Sequence, residues 1–174
     1  MNAHAPEQRR TSAEEYGTFG ADYRFAPIEE TRDSGLRQLV KCWSDIRGDR
    51  AMPTRPEVNP FALRGLLRFT QMFDVIDAGR DFRYRVVGSG IFEQTGLQLT
   101  GKCVSELEEP LRSRMLTALS AVVTGEVPVR LVSDRSAVRQ IAYKRTEAVF
   151  LPLGEAVTTH ILSGVTFHGR RLAG

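Results

Sequence analysis

The stretch "FRYRVVGSGIFEQTGLQLTGKCVSEL", residues 82–107, decides the fold that this sequence predicts. Its first five residues alternate large apolar side chains with arginines, which is typical of a β-strand with one face in water. After "GSG", residues 88–90, the pattern changes to short apolar pieces separated by Gly96 and Gly101. Because glycine destabilises the interior of a helix, this change predicts several short helical turns instead of one long helix.

An amphipathic helix is predicted N-terminal to this stretch. Asp33 or Ser34 can cap its start, and Gly48 can end it. Apolar residues recur at helical spacing on one of its faces. That stripe consists of Leu36, Leu39, Val40, Trp43 and Ile46. It can cover either the protein's own sheet or a second subunit, so both an intramolecular cap and a homodimer contact are open at this point.

Five strands and two further helices complete the predicted order. Asn59 and Pro60 can begin a short helix, and residues 109–124 are expected to form a longer helix that ends at Gly125. The strands are expected at about residues 69–77, 82–88, 127–133, 140–153 and 157–167. In the second strand, Phe82, Tyr84 and Val86 are expected to share one face. This order, with two strands before the helices and three after them, predicts an α+β fold with one antiparallel sheet and helices on one face.

The same patterns divide the chain into four segments. Residues 1–30 lack apolar periodicity and are expected to be a flexible N-terminal arm, although the spaced aromatic residues in it can fold back onto an apolar surface. Those aromatic residues are Tyr16, Phe19, Tyr23 and Phe25. Residues 31–68 are expected to be an N-terminal helical segment, residues 69–168 the sheet domain, and residues 169–174 a C-terminal tail.

Composition excludes several classes of function. The 174 residues carry a net charge of only +3 and no dense basic run, which argues against nucleic-acid binding. No apolar run approaches the length of a membrane span, so we expect a cytoplasmic protein without a membrane partner. Cys42 and Cys103 have no neighbouring cysteine or histidine, so no metal site is expected and both thiols are expected to be reduced.

Taken in order, short motifs in this sequence resemble a family of stand-alone PAS-type proteins from bacteria, mainly alphaproteobacteria. The resemblance covers about residues 35–168. The motifs are Trp43, Arg47-Gly48, Met52-Pro53-Thr54-Arg55, Pro60, Phe82-Arg83-Tyr84-Arg85, Val87-Gly88, Thr95-Gly96, Leu99-Thr100-Gly101 and "VFLPLGE" at 149–155. The sequence departs from the family at residues 146–148, Thr-Glu-Ala, where an aromatic–acidic pair is usual, so the register of that strand is left open.

The resemblance implies a PAS-like five-stranded antiparallel sheet in the order 2-1-5-4-3, with the helices enclosing a small pocket. Such domains are similar to sensors that bind a ligand, a cofactor or a protein, and they are not normally enzymes. The apolar residues expected to line the pocket are Phe92, Leu97, Leu99, Val104, Leu107, Met115 and Leu119. Because the neighbouring charged residues are expected to face water, the predicted ligand is small and apolar or uncharged.

His160 is the single histidine within a strand that is expected to be buried. It can contact the ligand or bind haem iron, or it can lie on the outer face of the sheet, because strand alternation leaves its face open. No cofactor is identified, and Cys103 lacks the surroundings of the cysteine in flavin photosensors. Ser89 in "GSG" is expected to cap a helix, because the nucleophile pattern GxSxG is absent.

The predicted function is a single-domain sensor or interaction module that is not an enzyme. Only "HGRRLAG" follows the last predicted strand, so the protein is expected to signal through a separate protein. Two alternatives stay open. One is a cone-shaped α+β enzyme of the isomerase type with His160 or Asp74 as base in an apolar pocket. The other is a dimeric adaptor whose core is filled.

Overall fold

A computed structural model describes residues 22–169 as a sheet covered by helices on both faces. The strands are Tyr23–Ala26 (β1), Thr70–Ile76 (β2), Asp81–Val87 (β3), Val129–Ser133 (β4), Arg145–Gly154 (β5) and Thr158–His168 (β6). The α-helices are Ser34–Arg47 (α1), Ser89–Thr95 (α2) and Leu111–Gly125 (α3). Short 3₁₀ turns lie between them, including Leu67–Phe69, Val104–Glu106 and Arg139–Ile141.

All neighbouring strands are antiparallel, in the order β1-β4-β5-β6-β2-β3. The predicted count of five strands is wrong, because β1 adds a sixth strand beside β4. The five predicted strands, which are β2 to β6, do lie in the predicted order 2-1-5-4-3. Part of the expected flexible arm therefore belongs to the fold. Tyr23 pairs with Ser133 of β4, and the ring of Phe25 is buried in the core. Backbone pairing and apolar burial thus hold residues 23–26 in the sheet. Residues 1–21, with Tyr16 and Phe19, lie outside the described residues.

Helix α1 begins and ends where the sequence predicts. The carboxylate of Asp33 accepts a hydrogen bond from the amide of Leu36 at 3.0 Å, and Gly48 ends the helix with a φ of 56°. The helix lies on the face of the sheet opposite to α2 and α3. The helices after β3 thus share one face, as predicted, and the N-terminal amphipathic helix covers the other face. Gly164 of β6 permits this contact, because a Cβ atom there would lie 2.7 Å from the side chains of Leu36 and Leu39.

Helices α2 and α3 and the turn Val104–Glu106 cover the other face, which we call the inner face. The interrupted pattern of the quoted stretch has a direct structural counterpart. Helix α2 has only seven residues and ends at Gly96 with a φ of 71°. It begins at Gly88, where a Cβ atom would lie 2.2 Å from the carbonyl oxygen of Leu67. Ser89 is the first helical residue and makes no capping bond, so the predicted cap is wrong.

Three further local predictions need correction. The fourth predicted strand starts at Arg145 instead of residue 140, because residues 136–144 turn inward and bury Ala137, Val138 and Ile141. The expected helix after Asn59 is reduced to turns, although the Asn59 side chain does accept hydrogen bonds from two following amides. Val86 is exposed, because a bulge between Met72 and Phe73 shifts the register of β2 against β3.

We predict that Trp43→Ala lowers the free energy of unfolding by about 3–5 kcal/mol. The indole is 4% exposed and packs in the apolar cluster between α1 and the sheet. Its Nε1 donates a hydrogen bond to the carbonyl oxygen of Pro152 at 2.8 Å. Chemical denaturation of both proteins measures the difference. Phe61→Ala is the control, because that aromatic ring is 81% exposed and its loss should change little. Equal effects of the two substitutions would contradict the burial of Trp43.

Candidate functional site

A cavity of about 60 Å³ lies inside the fold between the inner face of the sheet and helices α2 and α3. Strands β2 to β6 contribute its floor, and the loop at residues 136–138 closes one side. Most of the side chains around it are apolar. The cavity therefore occupies the place where the sequence predicts a pocket, but it is smaller than the roughly 300 Å³ of a usual ligand pocket.

Three of the predicted pocket residues, Leu97, Leu99 and Met115, line this cavity. Val104, Leu107 and Leu119 lie in the same core cluster but are buried among other side chains. Phe92 is 45% exposed, because its neighbours on α2 that face inward are Ile91 and Thr95. A residue adjacent to Ile91 on a helix is rotated by about 100°, which turns Phe92 toward solvent.

His160 lies on the outer face of the sheet, on the opposite side from the cavity. It stands across from Asp74 in the pairing of β2 with β6, and its Nε2 is 3.5 Å from the Asp74 carboxylate. Burial lowers the pKa of His160, and the nearby Asp74 carboxylate opposes that effect. Neither residue lines the cavity, so neither of them is in position to act as a base or a haem ligand there.

The stripe of α1 contacts the protein's own sheet. Leu36, Leu39 and Trp43 are buried against β5 and β6, and Val40 and Ile46 are half-buried at the edge of the same cluster. The intramolecular cap, one of the two alternatives in the sequence, is thus what the isolated chain adopts. A contact with a second subunit through this stripe stays a prediction.

Arg114 is the charged residue among the lining residues that sequence reasoning missed. It belongs to α3, is only 7% exposed, and its guanidinium carbon lies 4.7 Å from the centre of the Tyr23 ring. Its Nη1 donates hydrogen bonds to Ser133 Oγ at 3.1 Å and to the carbonyl oxygen of Arg135 at 2.9 Å. The sequence pattern could have indicated its burial, because Arg114 falls at helical spacing between Leu111 and Ala118, within the buried stripe of α3.

Within residues 22–169, the guanidinium of Arg114 is held by the Tyr23 ring and by neutral oxygen acceptors rather than by a salt bridge. Its Nε is buried and has no hydrogen-bond partner, and no carboxylate of residues 22–169 forms an ion pair with it. Burial lowers the pKa of Arg114, and this effect is opposed by nearby Tyr23 and Asp22. Thr146, which also lines the cavity, has a buried hydroxyl without a partner. Both atoms are enclosed by protein and are not accessible from the cavity, whose surface is almost wholly apolar.

A cleft of about 320 Å³ lies beside the cavity and is open to solvent. Ala137 and Val138 line both spaces, as do Leu97, Leu99 and Leu111. These five residues, from the loop at 136–138, the segment after α2 and the start of α3, separate the interior from the surface at this side.

A larger polar groove, of about 560 Å³, lies where the start of α1 meets β1, β4 and β5. At its base, Arg130 and Glu147 form a buried ion pair with an Nε–Oε1 distance of 2.8 Å. The Glu147 carboxylate also accepts hydrogen bonds from the backbone amides of Arg32 and Asp33 at 2.9 and 3.0 Å. This pair ties α1 to the sheet, and its charges are satisfied within the protein.

Within residues 22–169, no group of three His, Cys, Asp or Glu side chains is arranged to hold a metal ion. The helices of this part of the chain are too short or too polar to cross a membrane.

The chain matches a known protein family over most of its length. A PAS domain family matches residues 31–166, from the residues that precede α1 to near the end of β6. The chain therefore belongs to the PAS domain family, which confirms the PAS part of the resemblance found in the sequence, while the bacterial origin stays a prediction. PAS domains are in general sensory or interaction modules rather than enzymes. Comparison with curated proteins and with solved structures gave no significant match.

We predict that Glu147→Gln lowers the free energy of unfolding at pH 7 by about 3–5 kcal/mol, because it leaves the buried Arg130 guanidinium without its partner. Burial alone would raise the pKa of Glu147, but hydrogen bonds from Arg32, Arg130 and Asp33 outweigh it and lower that pKa. A carboxyl whose pKa is lowered by folding stabilises the protein above its unfolded pKa of about 4.3. This contribution is lost as the pH falls through the lower, folded value.

The difference between the wild type and Glu147→Gln should therefore shrink as the pH falls below about 4. Denaturation at pH 7, 5 and 3.5 measures it. Asp134→Asn is the matched control, since this carboxylate lies at the rim of the same groove, 89% exposed and 3.4 Å from Arg145. Its loss should cost less than about 1 kcal/mol. A difference for Glu147→Gln that does not change with pH would refute the role assigned to its charge.

Proposed function

We propose that this protein is a sensor in which a small molecule in the cavity alters the packing of α2 and the following residues, and that a separate signalling protein reads the change. The observation that carries the proposal is the position of the cavity. It lies between a rigid sheet and the shortest helix of the fold, within a family of sensory and interaction modules.

Helix α2 connects the interior with the surface. Ile91 and Thr95 line the cavity, whereas Phe92 and Glu93 of the same two turns are exposed. Glu93 also forms a close ion pair with Arg68 outside the sheet core. A ligand that favours one position of Ile91 would therefore move Phe92 and Glu93 as well. Coupling of this kind is worth about 1–3 kcal/mol in proteins, enough to shift the affinity for a partner by roughly 5- to 150-fold.

The finer parts of the proposal follow from the sequence. A homodimer through α1 would use the exposed edges of Val40 and Ile46, since the rest of the stripe is already covered. A cytoplasmic location agrees with Cys42 and Cys103, which form no disulfide in the described chain.

A ligand-free adaptor is the second candidate, and the volume of the cavity favours it. About 60 Å³ is well below the roughly 300 Å³ of a usual ligand pocket. In that case the domain would only present a surface to its partner, and the cavity would be a packing defect.

Native mass spectrometry of the purified protein separates the two candidates and reports the number of subunits. The sensor predicts a retained small molecule, or binding when small molecules are added. The adaptor predicts a bare polypeptide mass under every condition. The replacement Ala148→Val tests the location of the bound molecule, because Ala148 lines the cavity from β5 and the larger side chain would reduce its volume. A β-branched residue is also well suited to a strand. If a molecule is retained, this variant should retain less of it.

We also predict that residues 89–107 exchange their amide hydrogens faster than β6. Their helical turns are short and interrupted by Gly96 and Gly101, whereas β6 is paired on both sides over much of its length. Hydrogen exchange followed by mass spectrometry measures both segments in one experiment. Equal protection of the two segments would count against a movable α2 and thus against the sensor.

A further inference from the structure

We propose that the separate signalling protein binds this domain in a groove beside β2 and β3, and that it inserts an apolar segment that carries carboxylates. The groove, which we call the edge groove, has a volume of about 410 Å³. It is formed by the turns at residues 55–68, the start of β2, the end of β3 and the start of α2. The proposal rests on the interaction function proposed above, and it names the surface and the chemistry of the partner.

Apolar side chains form most of the edge groove. Three of them are buried at its floor and belong to the cluster under α1, namely Val58, Leu63 and Met72. Leu67 and Val86 also line the groove and are 41% and 45% exposed. Phe61, which is 81% exposed, follows the lining residue Pro60 in the chain. Single exposed apolar side chains are normal on a protein surface, but a contiguous group of them marks an interaction site.

The charged residues that line the edge groove are both arginines, and no carboxylate of residues 22–169 lines it. Arg55 donates a hydrogen bond from Nη1 to the carbonyl oxygen of Val58 at 3.1 Å and forms no ion pair within that range. Arg68 pairs with Glu93 of α2 and is itself exposed. A segment that fills this groove would therefore gain from carboxylates beside its apolar side chains, and it would be repelled if it carried lysines or arginines.

The edge groove and the cavity share two of their walls. Gln71 of β2 lines both spaces. Helix α2 borders the groove with Ser89, at its first turn, and borders the cavity with Ile91 and Thr95. A molecule in the cavity that alters the position of α2 would therefore also alter the groove.

Helix α2 packs too closely against the groove for the two to move independently. A Cβ atom at Gly90 would lie 2.6 Å from Cγ of Arg68 and 2.8 Å from the ring of Phe69. Arg68 also holds Glu93, one turn further along α2. A carboxylate of the partner would compete with Glu93 for the same guanidinium, so partner binding and the packing of α2 influence each other. The edge groove is therefore a surface on which the state of the cavity can be read.

A pair of peptides tests the chemistry of the groove. The probe is acetyl-EELFEEL-amide, and its counterpart acetyl-KKLFKKL-amide has the same apolar residues with the opposite charge. Titration of the full chain with the acidic peptide, followed by protein NMR, should shift the methyl signal of Met72 and the amide signals of Val86 and Ser89. We expect a Kd of about 1 mM or below, and at least about tenfold weaker binding of the basic peptide.

Val86→Asp should weaken binding of the acidic peptide at least about tenfold, because it places a carboxylate in the groove. Val157→Asp is the matched control. It adds the same charge at a side chain that is 60% exposed and lies outside the groove, in the turn before β6. This control should bind the acidic peptide like the wild type. Both replaced side chains are exposed, so both variants should fold.

Arg55→Gln tests the charge of the groove without changing its apolar wall. It should weaken binding of the acidic peptide several-fold and should not weaken binding of the basic one. Arg37→Gln is its control, because Arg37 is exposed on α1 and does not line the groove. If Val86→Asp fails to fold, this second pair decides: a weaker Arg55→Gln beside an unchanged Arg37→Gln supports the proposal, and equal binding by both refutes it.

The proposal is overturned if neither peptide binds, if the two peptides bind equally, or if Val86→Asp and Val157→Asp bind alike. Two further results would assign the groove to another occupant and overturn the partner assignment. One is a shift of the Met72 signal by Tyr16→Ser without any peptide, which would indicate the chain's own N-terminal segment. The other is a dimer in native mass spectrometry that Val86→Asp abolishes, which would indicate a second copy.

The cavity and the edge groove can fail separately in these experiments. A small molecule retained in native mass spectrometry, with no peptide bound at the groove, would overturn this inference and leave the proposed sensor standing. Selective binding of the acidic peptide by a chain that retains no small molecule would support the edge groove as the contact surface of the ligand-free adaptor, while the proposed sensor would fail.

Discussion

Strand β5 is buried on both faces, and most of the other contacts of this fold depend on that burial. Ala148 and Phe150 face the cavity and α3, while Leu151 packs in the cluster under α1. A strand without a wet face requires a cover on each side, since apolar surface left in water would be unfavourable. Two polar contacts fix the outer cover: the Trp43 indole bonds to the carbonyl oxygen of Pro152, and Glu147 bonds to the amides that precede α1.

The inner cover is built differently from the outer one. One straight helix, α1, serves the outer face, but the inner face is covered by α2, a single turn at Val104–Glu106, and α3. Short pieces can follow a curved sheet, but they leave gaps where they meet. The cavity lies at such a junction, and the loop that carries Ala137 and Val138, with Leu97, Leu99 and Leu111, separates it from the neighbouring solvent-open cleft. A gap in the core and a weakly held cover are thus consequences of the same interrupted sequence.

The volume and the wall of this gap bear on what it can do. Voids larger than a water molecule are few in protein interiors, so a gap of about 60 Å³ is a feature of this core. Its walls are almost wholly apolar, and it is smaller than the roughly 300 Å³ of a usual ligand pocket. Sensor and adaptor therefore differ less in architecture than in whether a molecule fills this gap.

Local chemistry made much of the fold predictable. Asp33 and Gly48 bound α1, and Gly96 ends α2, because capping and left-handed backbone conformations depend on residues that are close in sequence. The ordered motifs were also sufficient to identify a PAS domain. Contacts distant in sequence decided the rest. Strand β1 pairs with β4 more than a hundred residues later, and the face of His160 was left open until the pairing of β2 with β6 was known. The inward position of Arg114 and the volume beside it depend on how three layers fit together, and only the tertiary structure decides that.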